Sequence, residues 1–393
     1  MAHHGETSPP RSYAQWIRRT LRRVRAERTL LVSLFESSVP EPREMLRALV
    51  AEGFGQTITS RYASAFAGGN PFVVEQLMNR YRVDADRLLC TTGATGALSL
   101  IYRALLKPGD RVLIETPAFD LFDTIARSYG HEVDHFRRSG ARFTIDPEEV
   151  AARIGPDTKL IVLSDLHNPS GMRTDPTVIA EIGRIAAARG VTVVVDEVYR
   201  DYADDAAEAT PSVHLSPSIV TISSLTKIYG LSTLRCGWIV AAPEVMRTIR
   251  ALNDEVEFGV SNLAHAVAAM VLERRNRFDA YSAGIVRRGR PVIEAYHAHW
   301  RANGLVDGEL PDFGCIAFPR LIGIDDTDAF SDWIAARGAV VVAPGSYFGA
   351  PGHVRIGFGL EPTALEYGLQ ALTDGMKTYR DRSARPAPVA VHD

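Results

Sequence analysis

Ser218-Ile219-Val220-Thr221-Ile222-Ser223-Ser224-Leu225-Thr226-Lys227, with Arg235 eight residues further on, is the stretch on which the fold turns. Its first half is apolar and β-branched and reads as a short buried strand. A lysine just past the C-terminal end of such a strand stands where α/β proteins place their ligands, in the crevice outside the strand ends. Ser224, Thr226 and Arg235 surround Lys227 with hydroxyls and a fixed positive charge, a set suited to an anion such as phosphate. A lysine beside a phosphate site can act as a Schiff-base nucleophile once its pKa is lowered. The plainer alternative is a loop lysine near a surface arginine, and the rest of the chain decides between the two.

Working outward, apolar strand-like runs alternate with helical patterns from Leu88 onward. The runs are Leu88–Thr92, Arg111–Glu115, Glu132–Phe136, Lys159–Ser164, Val191–Val195, Ile219–Ser223 and Cys236–Ala241. Helical spacing separates several of them, as at Ala97–Leu106 and Pro176–Arg189, and Pro108-Gly109-Asp110 and Arg189-Gly190 stop two helices before the next strand. Such alternation predicts a mostly parallel, seven-stranded sheet covered by helices on both faces, an α/β domain. After Ala242 the pattern changes. Pro243 to about Arg301 is largely helical, and strand-like runs follow at Gly314–Phe318, Ala339–Ala343 and His353–Phe358. A closing helix from about Pro362 to Tyr379 completes a smaller α+β unit. The tail from Arg380 is expected to fray, and residues 1–10 are expected to lack order.

The composition bounds the function. The 393 residues are 46% hydrophobic and 23% charged, with a net charge of −3, an ordinary globular balance that asks for neither nucleic acid nor an anionic membrane. Cys90, Cys236 and Cys315 are far apart and odd in number, so neither a disulfide framework nor a metal site is expected, and a reducing cytoplasm is the default. No apolar run reaches the length of a membrane span, and the N-terminus lacks the apolar core of a signal peptide. Residues 11–30 carry Arg11, Arg18, Arg19, Arg22, Arg23, Arg25 and Arg28 against Glu27 alone, with Trp16, Ile17, Leu21 and Val24 near helical spacing. A membrane-surface helix or a transit peptide has this look. The preferred reading is a helix packed on its own protein or on a dimer partner.

The residue types at the strand ends carry the chemistry. Thr92-Gly93-Ala94-Thr95-Gly96 leads from the first strand into a helix whose free N–H groups favour an anion, although most such turns only connect. Phe119 follows the second strand and is either core or a flat partner for a heteroaromatic ring. Asn168, in Asp165-Leu166-His167-Asn168-Pro169-Ser170-Gly171, can donate from its amide or simply open a turn. His167 reads as a satisfied loop or core histidine. Asp196 ends the very apolar run Val191–Val195, and a buried carboxylate needs a partner, such as a protonated ring nitrogen, unless it only caps a helix. Tyr199 lies three residues on with a hydroxyl to donate. Together these specify a phosphate, a pyridine ring, a phenolic oxygen and an aldehyde carbon within reach of lysine.

This set resembles the fold-type I family of pyridoxal-phosphate enzymes, and within it the class I/II aminotransferases, from about Phe35 to Arg355. The resemblance implies that Lys227 holds pyridoxal 5′-phosphate as an internal aldimine and then moves the proton between the substrate α-carbon and the cofactor, with pyridoxamine phosphate as the carrier form. It implies that Asp196 pairs with the ring nitrogen and that Asn168 and Tyr199 bond the ring oxygen. Phe119 would stack on the ring, and Ala94, Thr95, Ser224 and Arg235 would hold the phosphate. Arg355, in His353-Val354-Arg355-Ile356-Gly357, matches the arginine that clamps the substrate carboxylate. Asn168 and Ser38 would join it around the substrate. Tyr62 matches the tyrosine that reaches a dimer partner's phosphate. The implied architecture is an arm over 1–50 joining a small domain over 286–393, and a large cofactor domain over 51–285, paired as a homodimer with shared sites.

Three departures stand out: Thr233 replaces a glycine, the Asn168 loop is short, and Glu36-Ser37-Ser38-Val39-Pro40 replaces a glycine-bearing substrate loop. No second arginine is evident for a dicarboxylic substrate. The expected activity is transfer of an amino group between an L-amino acid and a 2-oxo acid. The alternative is a lyase, cyclase or oxidase of specialised amino-acid metabolism on the same residues. A cofactor-binding regulator is disfavoured, since the basic helix is too short to supply a DNA-binding module.

Overall fold

The computed structural model describes residues 12–27, 31–66, 68–203, 210–257, 259–337 and 340–383. The expectations for residues 1–10, for Arg11 and Arg28, and for the last ten residues of the tail lie outside them. All seven expected strands form, each within one residue of its expected ends. In space they run Leu88–Thr92, Cys236–Val240, Ile219–Ser224, Thr192–Asp196, Thr158–Ser164, Arg111–Thr116, Glu132–Arg137. Only Cys236–Val240 runs antiparallel to its neighbours. The other pairs are parallel, so their carboxyl ends gather along one edge.

Alternation of side chains explains why these runs bury on both faces. Val112, Ile114, Leu160, Val162, Val194, Val220 and Ile222 pack with Ala97, Leu98 and Ile101 of the helix Gly93–Leu105. Leu113, Ile161, Leu163, Val193, Val195 and Ile219 face the other way, onto Ile179, Ile182 and Ala186 of the helix Pro176–Ala187. Each such side chain contributes about 1.5–3 kcal/mol by leaving water. The register sets Ser164 opposite Asp196 and Asp196 opposite Ile222, which brings three strand ends level at the site.

The helix expected from Ala97 begins at Gly93 instead. Gly93 has φ of +76°, so the chain turns from strand into helix within one residue and needs no loop. The closing helix runs to Ser383, beyond the expected end at Tyr379. Tyr379 is anchored between Phe330 and Trp333, and Arg380 donates to the Gly304 carbonyl at 3.0 Å.

A second core gathers Leu34, Trp300, Val306, Phe330, Ile356 and Leu369. There the short strand Val32–Ser33 pairs in parallel with Val340–Val341. Val354–Gly357 lies between Ile316–Ala317 and Ala343–Pro344. The helix Arg275–Ala302 is continuous through residue 285. Among the described residues no helix is long and apolar enough to cross a membrane.

Candidate active site

A cavity of about 320 Å³ opens at the carboxyl edge of the sheet. It brings together Ala94, Thr95, Phe119, Asn168, Asp196, Ser224, Lys227, Arg235 and Arg355. Lys227 sits in the single-turn helix Leu225–Ile228, directly after the strand Ile219–Ser224. The Ser224 hydroxyl caps this turn by accepting from the Thr226 N–H. The Lys227 carbonyl accepts from the Tyr202 hydroxyl at 2.7 Å, and its Nζ donates to Ser37 Oγ at 2.9 Å. Burial, followed by the positive charge of Arg355, pulls this amine down to about 8. A substantial neutral fraction near pH 8 is what a nucleophile or base requires.

Asp196 ends its strand 8% exposed, with Oδ1 accepting the Val198 N–H at 3.1 Å. Burial drives its carboxyl up to about 7, an effect the Lys227 charge only partly offsets. Among the described residues it makes no ion pair. Arg355, 1% exposed, donates from Nη1 to Asn168 Oδ1 at 2.8 Å, and from Nη2 to the Phe35 carbonyl at 3.1 Å and to the Tyr13 hydroxyl. Its Nε is buried without a hydrogen-bond partner.

Arg235 adopts φ of +47° beside the start of the helix Gly93–Leu105. A Cβ on Gly93 would lie 2.5 Å from Arg235 Nη2, so only glycine lets the guanidinium lie against that turn. The guanidinium makes one long hydrogen bond, 3.5 Å to the Thr92 carbonyl, and no ion pair among the described residues. Thr233, which replaces the family's glycine, donates to Glu41 at 2.9 Å and leaves Arg235 in place.

These residues fit pyridoxal phosphate. Tyr199 is buried, and its hydroxyl lies by Ser37 of the cavity wall. Asp196 is a buried acid and Arg235, above a glycine cradle, a cation, and neither makes an ion pair among the described residues.

Behind the site runs a buried relay absent from the sequence reading. Arg138 Nε donates to Glu115 at 2.6 Å, Glu115 accepts from the N–H and hydroxyl of Ser164, and Ser164 Oγ accepts the Asn168 N–H at 3.0 Å. It fixes the loop that presents Asn168. His167 is fully buried between Ser170 and the Pro117 carbonyl, a satisfied core histidine.

Besides Tyr199, two expected residues do not line the cavity. Ser38 does not line the cavity: its carbonyl faces Gly359, and the preceding Ser37 meets Lys227. The segment bends at Phe35 and again at Ser38, so that Ser37 and not Ser38 meets the cavity. Tyr62 is 45% exposed and lies outside the cavity of its own chain. Conversely, Tyr13, Ala14, Ile17 and Arg18 of the helix Tyr13–Glu27 line the cavity. The helix is anchored by Trp16 against Tyr13 and Phe35, and by the Tyr13 N–H donated to Asp120 at 2.6 Å. Its apolar spacing marked a helix packed on its own protein, but nothing local said that it covers a site.

Comparison with known proteins agrees with this geometry. Residues 65–372 match the family model for aminotransferase class I and II. Capreomycidine synthase of Streptomyces vinaceus is 29% identical over 294 residues, 74% of this chain and 75% of that protein. An aspartate aminotransferase of Streptomyces avermitilis is 26% identical over 375 residues, 88% of each. Among solved structures, the aspartate aminotransferase of Thermus thermophilus with maleate superposes with a TM-score of 0.80 at 21% identity, covering 93% of this chain and 97% of that one. The match across most of its length makes this chain a member of the pyridoxal-phosphate-dependent class I and II aminotransferase family.

Proposed function

We propose that the protein transfers an amino group between an L-amino acid and a 2-oxo acid. One observation carries the reading: a half-buried lysine amine near pKa 8 shares a cavity with a buried arginine whose Nε is unclaimed. The second group is a ready anchor for a carboxylate, and the first a base for the carbon beside it.

When bound, pyridoxal phosphate supplies an aldehyde that condenses with amines and a ring that draws electrons from the bond being broken. Arg235, Ala94, Thr95 and Ser224 would hold its phosphate, Asp196 its ring nitrogen, Tyr199 and Asn168 its ring oxygen, and Phe119 its face. Arg355 orients the substrate through the carboxylate. Lys227 Nζ takes the proton from the substrate α-carbon and returns it during transfer. Ser37 holds that amine in position. Asp196, in a buried setting, keeps a proton on the atom opposite it. Tyr13 and Ile17 line the cavity and help exclude water from it. Tyr62, exposed on this chain, suits contact with a second copy in a homodimer.

The similarity to capreomycidine synthase supports a second reading, in which the same residues serve ring closure. One experiment separates the two. Cofactor-loaded protein is mixed with an α-¹⁵N amino acid and an unlabelled 2-oxo acid, and products are read by mass spectrometry. Label in the amino acid derived from the 2-oxo acid supports transfer. A cyclised product retaining the label, or free labelled ammonia, refutes it.

A further inference from the structure

The proposed reaction assigns Arg235, Asp196, Lys227 and Arg355 among the charged side chains that line the cavity, and leaves Glu36 and Arg18. Glu36 is fixed by its neighbours. The Phe35 carbonyl accepts from Arg355 at 3.1 Å, and Ser37 Oγ accepts from Lys227 at 2.9 Å. Residue 36 therefore stands between the group that anchors the substrate carboxylate and the group that works at its α-carbon. Its backbone is also pinned. The Leu34 carbonyl accepts the Gly357 N–H at 2.6 Å, and a Cβ on Gly357 would lie 1.7 Å from the Glu36 carbonyl. Phe35 and Ser37 are buried on either side, and Glu36 is exposed and among the residues that line the cavity.

We infer that the site takes amino acids whose side chain ends in a cation, an ammonium or guanidinium group, and that Glu36 is the carboxylate that selects them. The inference rests on the proposed aminotransferase reading of the same cavity. Ile17, Leu98, Leu121 and Ile125 line the remaining wall with apolar surface. That surface suits a methylene stem with a charge only at its tip. The Glu36 charge is felt inside the site, where it acts to raise both the Lys227 amine and the Tyr13 hydroxyl. Arg18 is less particular to the cavity, because exposed Arg19 and Arg22 repeat its charge along the same helix.

The test uses cofactor-loaded protein and three carboxylates that lack an α-amino group and so bind without reacting: 5-guanidinopentanoate, hexanoate and adipate. Calorimetry gives each dissociation constant, and the cofactor's visible absorbance is recorded on the same samples. The expected result is that 5-guanidinopentanoate binds about ten-fold or more tighter than hexanoate. Glu36→Gln brings that ratio close to one, and Glu36→Lys turns the preference toward adipate. Equal binding of the cation and the neutral chain by the unaltered protein overturns the inference. So does tightest binding of adipate, which would make Arg18 the reader, and so does absence of binding by all three. A Glu36→Gln protein that weakens all three alike overturns it too, since Glu36 would then be structural. A missing cofactor absorbance instead counts against the aminotransferase reading, while the binding ratio still decides Glu36.

Discussion

Arg355 Nη1 donates a 2.8 Å hydrogen bond to Asn168 Oδ1 across 187 residues of sequence. This bond joins the strand Val354–Gly357 to the loop beyond Thr158–Ser164, so the proposed carboxylate anchor is aimed by the side chain proposed to face the cofactor. The Arg355 guanidinium also lies 5.0 Å from the Tyr13 ring centroid and 4.8 Å from that of Phe348. Aromatic faces hold the cation without competing for all of its N–H groups. Arg355→Ala should weaken binding of a 2-oxo acid by roughly 2–5 kcal/mol. Arg355→Lys should not restore it, because a point charge lacks the planar fork. Dissociation constants for the two variants check this, and unchanged affinity in Arg355→Ala would remove the carboxylate anchor from the scheme.

Lys227→Ala should leave the cofactor bound only non-covalently. Borohydride treatment followed by intact-mass analysis should fix the cofactor to the parent protein and not to the variant. Amino transfer should fall by about 10²–10⁴-fold, the usual worth of a positioned base, or further. A variant that still gains the cofactor mass would place the nucleophile elsewhere.

The large sheet was legible because its central strands, Thr158–Ser164, Thr192–Asp196 and Ile219–Ser224, are apolar, largely β-branched runs buried on both faces, a pattern that no tertiary partner needs to explain. Lys227, Asp196 and Arg235 were legible for a related reason: Asp196 ends one strand, Lys227 lies just past another and Arg235 directly precedes a third, so locating the strands locates the residues. The Arg138–Glu115–Ser164 relay was not, since its members sit on separate strands or beyond them and are joined only by sheet order. Ser37 was missed for Ser38 because the segment is irregular, bending at Phe35 and Ser38, and composition does not reveal which side chain such bends turn inward. The covering role of the helix Tyr13–Glu27 depends on where its end docks, at Asp120, more than a hundred residues away in the chain.

That relay should be costly to break. Arg138 and Glu115 are both almost wholly inaccessible, and Arg138 further donates to Thr174 and to the Ser164 carbonyl. Glu115→Ala leaves a buried guanidinium without its counter-charge, and about 3–5 kcal/mol of stability should be lost. Urea unfolding measures this. A loss below about 1 kcal/mol would mean that the guanidinium finds water or another acceptor once Glu115 is gone.

Trp16→Ala should release the covering helix without unfolding the sheet. Trp16 is buried against Tyr13, Phe35 and Tyr347, and its removal deletes the main apolar contact that seats the helix. Truncating a buried aromatic costs about 3–5 kcal/mol, more than a fifteen-residue helix is expected to recover by itself in water. Hydrogen exchange of amides in residues 13–22 should quicken markedly, while amides of the central strands keep their protection. Uniform quickening throughout the chain would show instead that the helix is integral to the whole fold.

The cofactor-free protein should show a stability minimum between about pH 7 and pH 8 as far as Asp196 and Lys227 determine it. Asp196 lies at about 7 in the fold against 3.8 in the unfolded chain, because burial disfavours its charge. The folded state thus holds a proton that the unfolded state releases, and the associated stability is fully present below 3.8 and lost as pH rises through 7. Lys227 lies at about 8 against 10.5. Between those values the unfolded chain binds more protons, so stability returns as pH rises from 8 to 10.5, and below 8 the cost of the buried ammonium is complete. Asp120 and Asp165, both raised to about 6 by burial, slope the same way as Asp196, so the difference between variants is what isolates each group. Urea unfolding from pH 4 to 10 should show that Asp196→Asn removes part of the fall between 4 and 7, and that Lys227→Ala removes the rise above 8. Loading the cofactor should flatten the Asp196 limb as well, because a cation opposite the carboxylate favours its charged form. If Asp196→Asn kept the full slope between pH 4 and 7, the carboxylate would not be the buried, uncompensated acid on which the placement of the ring nitrogen depends.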